Sequence, residues 1–231
     1  MKKWIFSISL SLTVFLFTNH SDHKCDHDNH AQMMEYSSTV QKGKTFQSFE
    51  PQYLNPKNVD TGHLSVKPMD IKGFEGDSLL KMKKAFEVLE KVVNSVEFKN
   101  RVINFKNNQN ERSFASNNGL SNEQIYEIFM DGRETLQQNT PGEMNFFLSL
   151  YHKRFSKVIG WTEGSINTIN INWKFFKDFL PNEVAGNLAH EWTHKIGFDH
   201  MSAAEHDSAP YAIGYIVREM GAKYLSGDHK N

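Results

Sequence analysis

Eleven residues near the C-terminal end constrain this chain more than any other stretch: His190-Glu191-Trp192-Thr193-His194-Lys195-Ile196-Gly197-Phe198-Asp199-His200. His190 and His194 are four apart, so on a helix they stand one turn above the other on the same face. Two imidazoles at that separation can bind one zinc ion at ordinary Zn–N distances. Glu191 rides on the same turn and can reach a water held by such an ion without being a ligand, as a general base must. Gly197 falls three residues past His194, where a helix ending in a left-handed residue would place it. The chain can then turn back and offer His200 as a third nitrogen. Three protein ligands leave a fourth position open, which separates a catalytic zinc site from a closed structural one.

A chain of 231 residues is ample for one domain with a real core and short for two. A net charge of −1 gives no sign of a nucleic-acid partner, and one cysteine excludes an intrachain disulfide framework. Residues 1–20 read as a signal peptide: Lys2 and Lys3 precede an apolar run from Trp4 to Phe17 that is too short to span a bilayer comfortably. The expected location is therefore secreted or periplasmic, with no stable membrane anchor.

Residues 21–76 read as a flexible, His/Asp-rich and loop-rich segment. The tract from His20 to His30 holds four of the 11 histidines, three aspartates and the single cysteine, Cys25. Such a tract binds metal weakly or is simply solvated. Further on, three prolines and four glycines break the pattern, and only Leu64 and Val66 hint at a short strand.

From residue 77 to 231 the pattern is that of a folded domain. Leu79, Met82, Phe86, Leu89, Val93 and Val96 form one apolar stripe of a helix capped by Asp77 or Ser78. Ser95 starts a second helical piece bearing Phe98, Val102 and Phe105, and Asn107–Asn118 is a polar loop. Ser121 and Gln124 make a capping box for a helix that Gly132 ends. Strands are expected at Met144–Leu150, at Lys157–Trp161 and over Ile169, Ile171 and Trp173. Pro181 then opens the histidine-bearing helix, whose packing side carries Val184, Leu188 and Trp192, and whose small Gly186 and Ala189 permit close approach by a neighbour. Pro210 opens a last helix with Ile213, Ile216, Val217 and Met220 inward.

His190-Glu191-x-x-His194-x-x-Gly197-x-x-His200 resembles the zinc-binding signature of the metzincin clan of metallopeptidases, complete over these eleven residues. The stretch from about Ile159 to Ala222 is also similar to a group of bacterial exported zincin-like proteins. The resemblance implies an α+β, zincin-like fold for 77–231: a small mixed sheet packed on helices that include the zinc-binding active-site helix, with a short C-terminal helical portion. It implies an exported, zinc-dependent (Zn2+) metallopeptidase acting on a peptide or protein substrate. His190, His194 and His200 would be the metal ligands and Glu191 the catalytic base. It suggests that the strand at 166–173 edges the cleft, that Tyr211 stabilises an oxyanion or binds the metal, and that Cys25 could hold the zinc in a latent form. One departure stands out: Ser208-Ala209-Pro210-Tyr211 has proline where the family's turn carries methionine.

Two other readings stay open. Glu219, 25 residues past His194, could replace His200 as third ligand in a different zinc hydrolase. The chain could also be a non-enzymatic exported zinc-binding or interaction protein on a zincin fold.

Overall fold

A computed structural model describes residues 62–135, 139–157, 159–163, 166–200 and 205–227. Its elements in order are β1 (Ser65–Lys72), α1 (Gly76–Val93), α2 (Val96–Ile103), α3 (Asn122–Asp131), β2 (Glu143–Tyr151), β3 (Gly160–Glu163), β4 (Ile166–Asn172), α4 (Trp173–Phe176), α5 (Pro181–Lys195) and α6 (Ala209–Ser226). The protein is thus mixed α+β, with one four-stranded sheet and six helices among the described residues. The segment read as a signal peptide, the His/Asp tract and Cys25 lie outside those residues.

The sheet runs β1-β2-β4-β3, with β1, β2 and β4 parallel and β3 antiparallel at one edge. Two expectations change here. The segment read as loop up to residue 76 contains β1, eight residues long and paired with β2 from Ser65↔Glu143 to Lys72↔Ser149. Its disguise is physical: it is an edge strand carrying Pro68, Lys67, Asp70 and Lys72, with a register break between Pro68 and Asp70 that spoils the alternation. Prolines, charges and bulges are what blunt a free sheet edge. Second, β4 is an interior strand, so the edge near the histidine helix belongs to β3. The alternation seen through Trp173 ends one residue early, because Asn172 caps α4, its side chain accepting from the Lys174 N–H (3.2 Å).

The helices fall where they were expected, with two changes at α1: its N-cap is Glu75 rather than Asp77 or Ser78, and Val96 leaves its stripe to begin α2, exposed. Met82, Phe86, Leu89 and Val93 of α1 are buried, and Ser78 Oγ accepts the Glu75 N–H at 2.8 Å to close its first turn. The box at α3 forms reciprocally between Ser121 and Gln124, and Gly132 ends that helix at φ +68°. One core joins the layers: Phe86 of α1 lies 5.6 Å from Phe146 of β2, which lies 5.8 Å from Trp192 of α5. Trp192 is fully buried, so α5 has the sheet and α1 on one flank.

On its other flank α5 meets α6 at a crossing made by glycines. A Cβ on Gly186 would stand 2.7 Å from the Gly214 carbonyl oxygen, and one on Gly214 would stand 3.0 Å from that of Gly186 and 3.2 Å from His190 Cβ. Asn182 Nδ2 donates to the Arg218 carbonyl (3.2 Å), and Arg218 pairs with Glu183 (2.5 Å), fixing the first turn of α5 along α6. Gly186→Val drives a branched side chain into backbone and should lower stability by about 3 kcal/mol. Urea unfolding measures this, and a loss below about 0.5 kcal/mol would show that the helices can separate freely.

Candidate metal centre

Helix α5 is buried nearly all round, from Val184 through Thr193 and again at Lys195. It therefore carries polar side chains into the interior, where they need partners. His190 is 5% exposed and His194 is partly buried. Their Nε2 atoms face each other at 3.3 Å. Two nitrogens each about 2.05 Å from one ion, at a tetrahedral angle, stand about 3.3 Å apart.

The end of the helix completes the set. Gly197 adopts φ +98°, which glycine tolerates without strain. The Gly197 N–H donates to the His194 carbonyl (3.1 Å) and the Phe198 N–H to that of Thr193 (3.0 Å). These two bonds are the Schellman arrangement expected of a glycine-ended helix. The reversed chain brings the Phe198 carbonyl to His194, whose Nδ1 donates to it at 2.9 Å. That bond fixes the tautomer, so that Nε2 is the nitrogen that could ligate a metal. Two residues on, His200 enters the cluster, its ring centroid 5.0 Å from His194 and 5.4 Å from His190.

The ligand nitrogens of the three histidines lie within 4.8 Å of one another. His200 is 6% exposed, and neither of its ring nitrogens has a hydrogen-bond partner among the described residues. Buried imidazole nitrogens left in this state are costly unless something else engages them. A metal ion fits that requirement, and the donor set of three neutral imidazoles suits one.

Glu219, the alternative third ligand, is not part of this cluster. Its side chain is 61% exposed and pairs with Arg101 of α2. It lines a cavity of about 780 Å³ between α2 and α6 whose walls include His206 and Tyr215 but none of the three histidines.

Two residues complete the surroundings. Fully buried Tyr211, at the start of α6, packs its ring 4.4 Å from His200 and 4.8 Å from His190. Burial pushes its hydroxyl above the ordinary tyrosine value. Glu191, 5% exposed, accepts a hydrogen bond at Oε2 from Thr162 Oγ1 of β3 (2.7 Å). Gly160, on the same strand, makes this approach close: a Cβ there would sit 3.4 Å from Glu191 Oε1 and 3.2 Å from Asn187 Oδ1.

Thr162 was not foreseen, and neither was the fully buried pair between Lys195 Nζ and Glu134 (3.1 Å), which also reaches the Asn145 carbonyl at 2.6 Å. The Thr135 N–H and hydroxyl both donate to the Lys195 carbonyl (2.9 and 3.0 Å), so this pair clamps the end of α5 beneath the glycine turn. A lysine in the last turn of a helix ordinarily points to solvent, and no local pattern marks this one as buried.

Burial governs ionisation here. His194 and His200 are each brought down to about 4, chiefly by desolvation, and His190 falls well below its ordinary 6.5 for the same reason, with the neighbouring histidines adding to it. Glu191 is pushed up to about 7 by desolvation, against the opposing Thr162 hydrogen bond. The cluster is therefore neutral and ready to ligate near neutral pH.

Comparison of the chain with protein-family models, with curated proteins and with solved structures finds no match in any of the three. The fold and geometry define a mixed α+β protein whose α5 and following turn gather three histidines able to hold a metal ion.

Two outcomes follow. Alanine at His190, His194 or His200 should each lower the affinity for a divalent metal at least about 100-fold, while Glu219→Ala leaves it unchanged. Calorimetric titration of the metal-free protein measures this, and equal losses at His200 and Glu219 would contradict the cluster. The second outcome is a pH slope. Between about pH 6.5 and 4 the unfolded chain protonates three histidines that the folded chain keeps neutral, and Glu191, with its folded value raised, offsets one of them. The metal-free protein should lose stability as pH falls through that window, with about two protons taken up on unfolding. Urea unfolding at about pH 7 and about pH 5 tests it, and a flat profile would refute the assignment.

Proposed function

We propose that this protein is an exported zinc metallopeptidase of the metzincin kind, with His190, His194 and His200 as ligands and Glu191 as general base. The observation that carries the proposal is a buried carboxylate next in sequence to the first of three convergent imidazoles and held by a hydroxyl from the sheet edge. A protein that only stored zinc would need the histidines and not Glu191. When bound, a zinc ion supplies Lewis acidity that activates water and polarises a substrate carbonyl near neutral pH.

The chain's own residues do the rest. Thr162 holds Glu191 Oε2 and leaves Oε1 to accept the proton of an attacking water and deliver it to the departing amine nitrogen. A base whose proton affinity has been raised toward 7 by burial suits both transfers. His194 keeps its Nδ1 proton on the Phe198 carbonyl throughout, so its orientation does not drift. The outer edge of β3 has no strand partner among the described residues, and an extended peptide can pair with it through backbone hydrogen bonds. Tyr211, whose ring packs on His190 and His200, would meet developing charge.

The deep burial of His190, Glu191 and His200 favours a second reading, a non-enzymatic zinc-binding protein with a closed site. Digestion of a broad peptide library by zinc-loaded protein, with a chelator control, separates the two. Under the peptidase reading, Glu191→Gln keeps its zinc and loses cleavage by about 1,000-fold or more. Full cleavage by that variant removes Glu191 from the mechanism, and no chelator-sensitive cleavage by the unsubstituted protein leaves the storage reading.

A further inference from the structure

Away from the histidine cluster, the turn between β2 and β3 holds an aromatic ring out in solvent. Phe155 is 91% exposed, more than any other large hydrophobic side chain among the described residues, and it is the one aromatic in that set. The turn is built rather than loose. The Ser156 N–H donates to the Lys153 carbonyl (3.2 Å). The fully buried Asn172 grips Lys153 twice: Oδ1 accepts its N–H (3.3 Å) and Nδ2 donates to its carbonyl (3.2 Å). Lys174 Nζ donates to the Ser156 carbonyl (2.9 Å), and His152 packs on Trp173 at 5.8 Å. An aromatic ring kept in water by so many bonds forgoes the gain of its own burial.

The surroundings of the ring are cationic. Lys153, Arg154 and Lys157 are exposed on the turn, and the Arg154 guanidinium lies 5.7 Å from the Phe155 centroid. Lys174 and Lys177 join from α4 and its end, and Lys81 of α1 reaches the same end through the Phe176 and Lys177 carbonyls. From Tyr151 to Phe179 five Lys/Arg stand against two acids, a net of +3 in a chain whose total is −1. One of the two acids, Asp178, is paired with Lys177 (3.3 Å).

We propose that this turn docks on an anionic phospholipid bilayer, with Phe155 at the boundary between headgroups and acyl chains and Arg154 and the lysines on lipid phosphates. Only an interface with hydrocarbon a few ångströms below a layer of phosphates satisfies both halves of the surface. A nucleic acid would be met by a groove with several stacking rings; here one ring sits at the tip of a turn with a guanidinium over it. An acidic peptide would neutralise the lysines and leave Phe155 in water. The contact is peripheral and reversible, since no helix among the described residues is long and apolar enough to cross a membrane. It is independent of the metal site, and β3 begins just beyond the turn, so docking would bring the sheet edge to the bilayer surface.

Hydrogen exchange on the full chain tests this, with vesicles of phosphatidylglycerol and phosphatidylcholine against vesicles of phosphatidylcholine alone. The amides of 152–157 read the turn itself, whatever the N-terminal segment does. They should slow with anionic vesicles, less so at high salt, and not with neutral ones. Lys153→Glu with Arg154→Glu should weaken the affinity read this way at least about 25-fold, about five-fold for each cation lost. Phe155→Ala, at a site with no packing to lose, should weaken it several-fold with the fold unchanged by circular dichroism. No slowing, equal slowing on neutral vesicles, unchanged behaviour of either variant, or equal slowing by a polynucleotide would each overturn the proposal.

Discussion

Burying polar groups is expensive unless each finds a partner, and helix α5 buries them in quantity. It carries His190, Glu191 and His194 in its last two turns, His200 joins the two histidines from the turn beyond, and much of the described structure makes that tolerable. The Gly197 turn hands back a carbonyl for His194, β3 hands in a hydroxyl for Glu191, and the Lys195–Glu134 pair pins the end of the helix from below. Nδ1 of His190 and both ring nitrogens of His200 remain unanswered among the described residues, and the cluster they belong to could hold a metal ion.

The two flanks of α5 divide the labour. The sheet and α1 supply the apolar mass around Trp192, which fixes where the helix lies. The glycine crossing with α6 fixes how near the second flank comes, and so sets Tyr211 against two of the histidines. The polar loop at 107–118 contributes too, because the Ala115 N–H bonds the Asp207 carbonyl (2.8 Å) and Asn108 grips the Asp207 carboxylate. That anchors Asp207, just ahead of α6.

What could be read from the sequence was local. The histidine spacing, the glycine that ends the helix, the capping box at Ser121 and the stripe of α1 as far as Val93 are all patterns within a few residues, and each appears as expected. What could not be read depends on partners far along the chain. Thr162 meets Glu191 across 29 positions, and Lys195 meets the Asn145 carbonyl across 50. The strand β1 was hidden by the features that protect a sheet edge, and the order that makes β4 interior follows from pairing that alternation does not encode. Glu219 looked like a ligand by its distance from His194, yet lies at a surface ion pair because α6 turns that face away.

The central claim is that three histidines, and no other side chain, hold one zinc ion with a position left for water. X-ray absorption at the zinc edge on the loaded full chain addresses it directly. The claim predicts four-coordinate zinc with three imidazoles and one further light atom, all at about 2.0–2.1 Å. A sulfur scatterer at about 2.3 Å, or a shell with only two imidazoles, would contradict it.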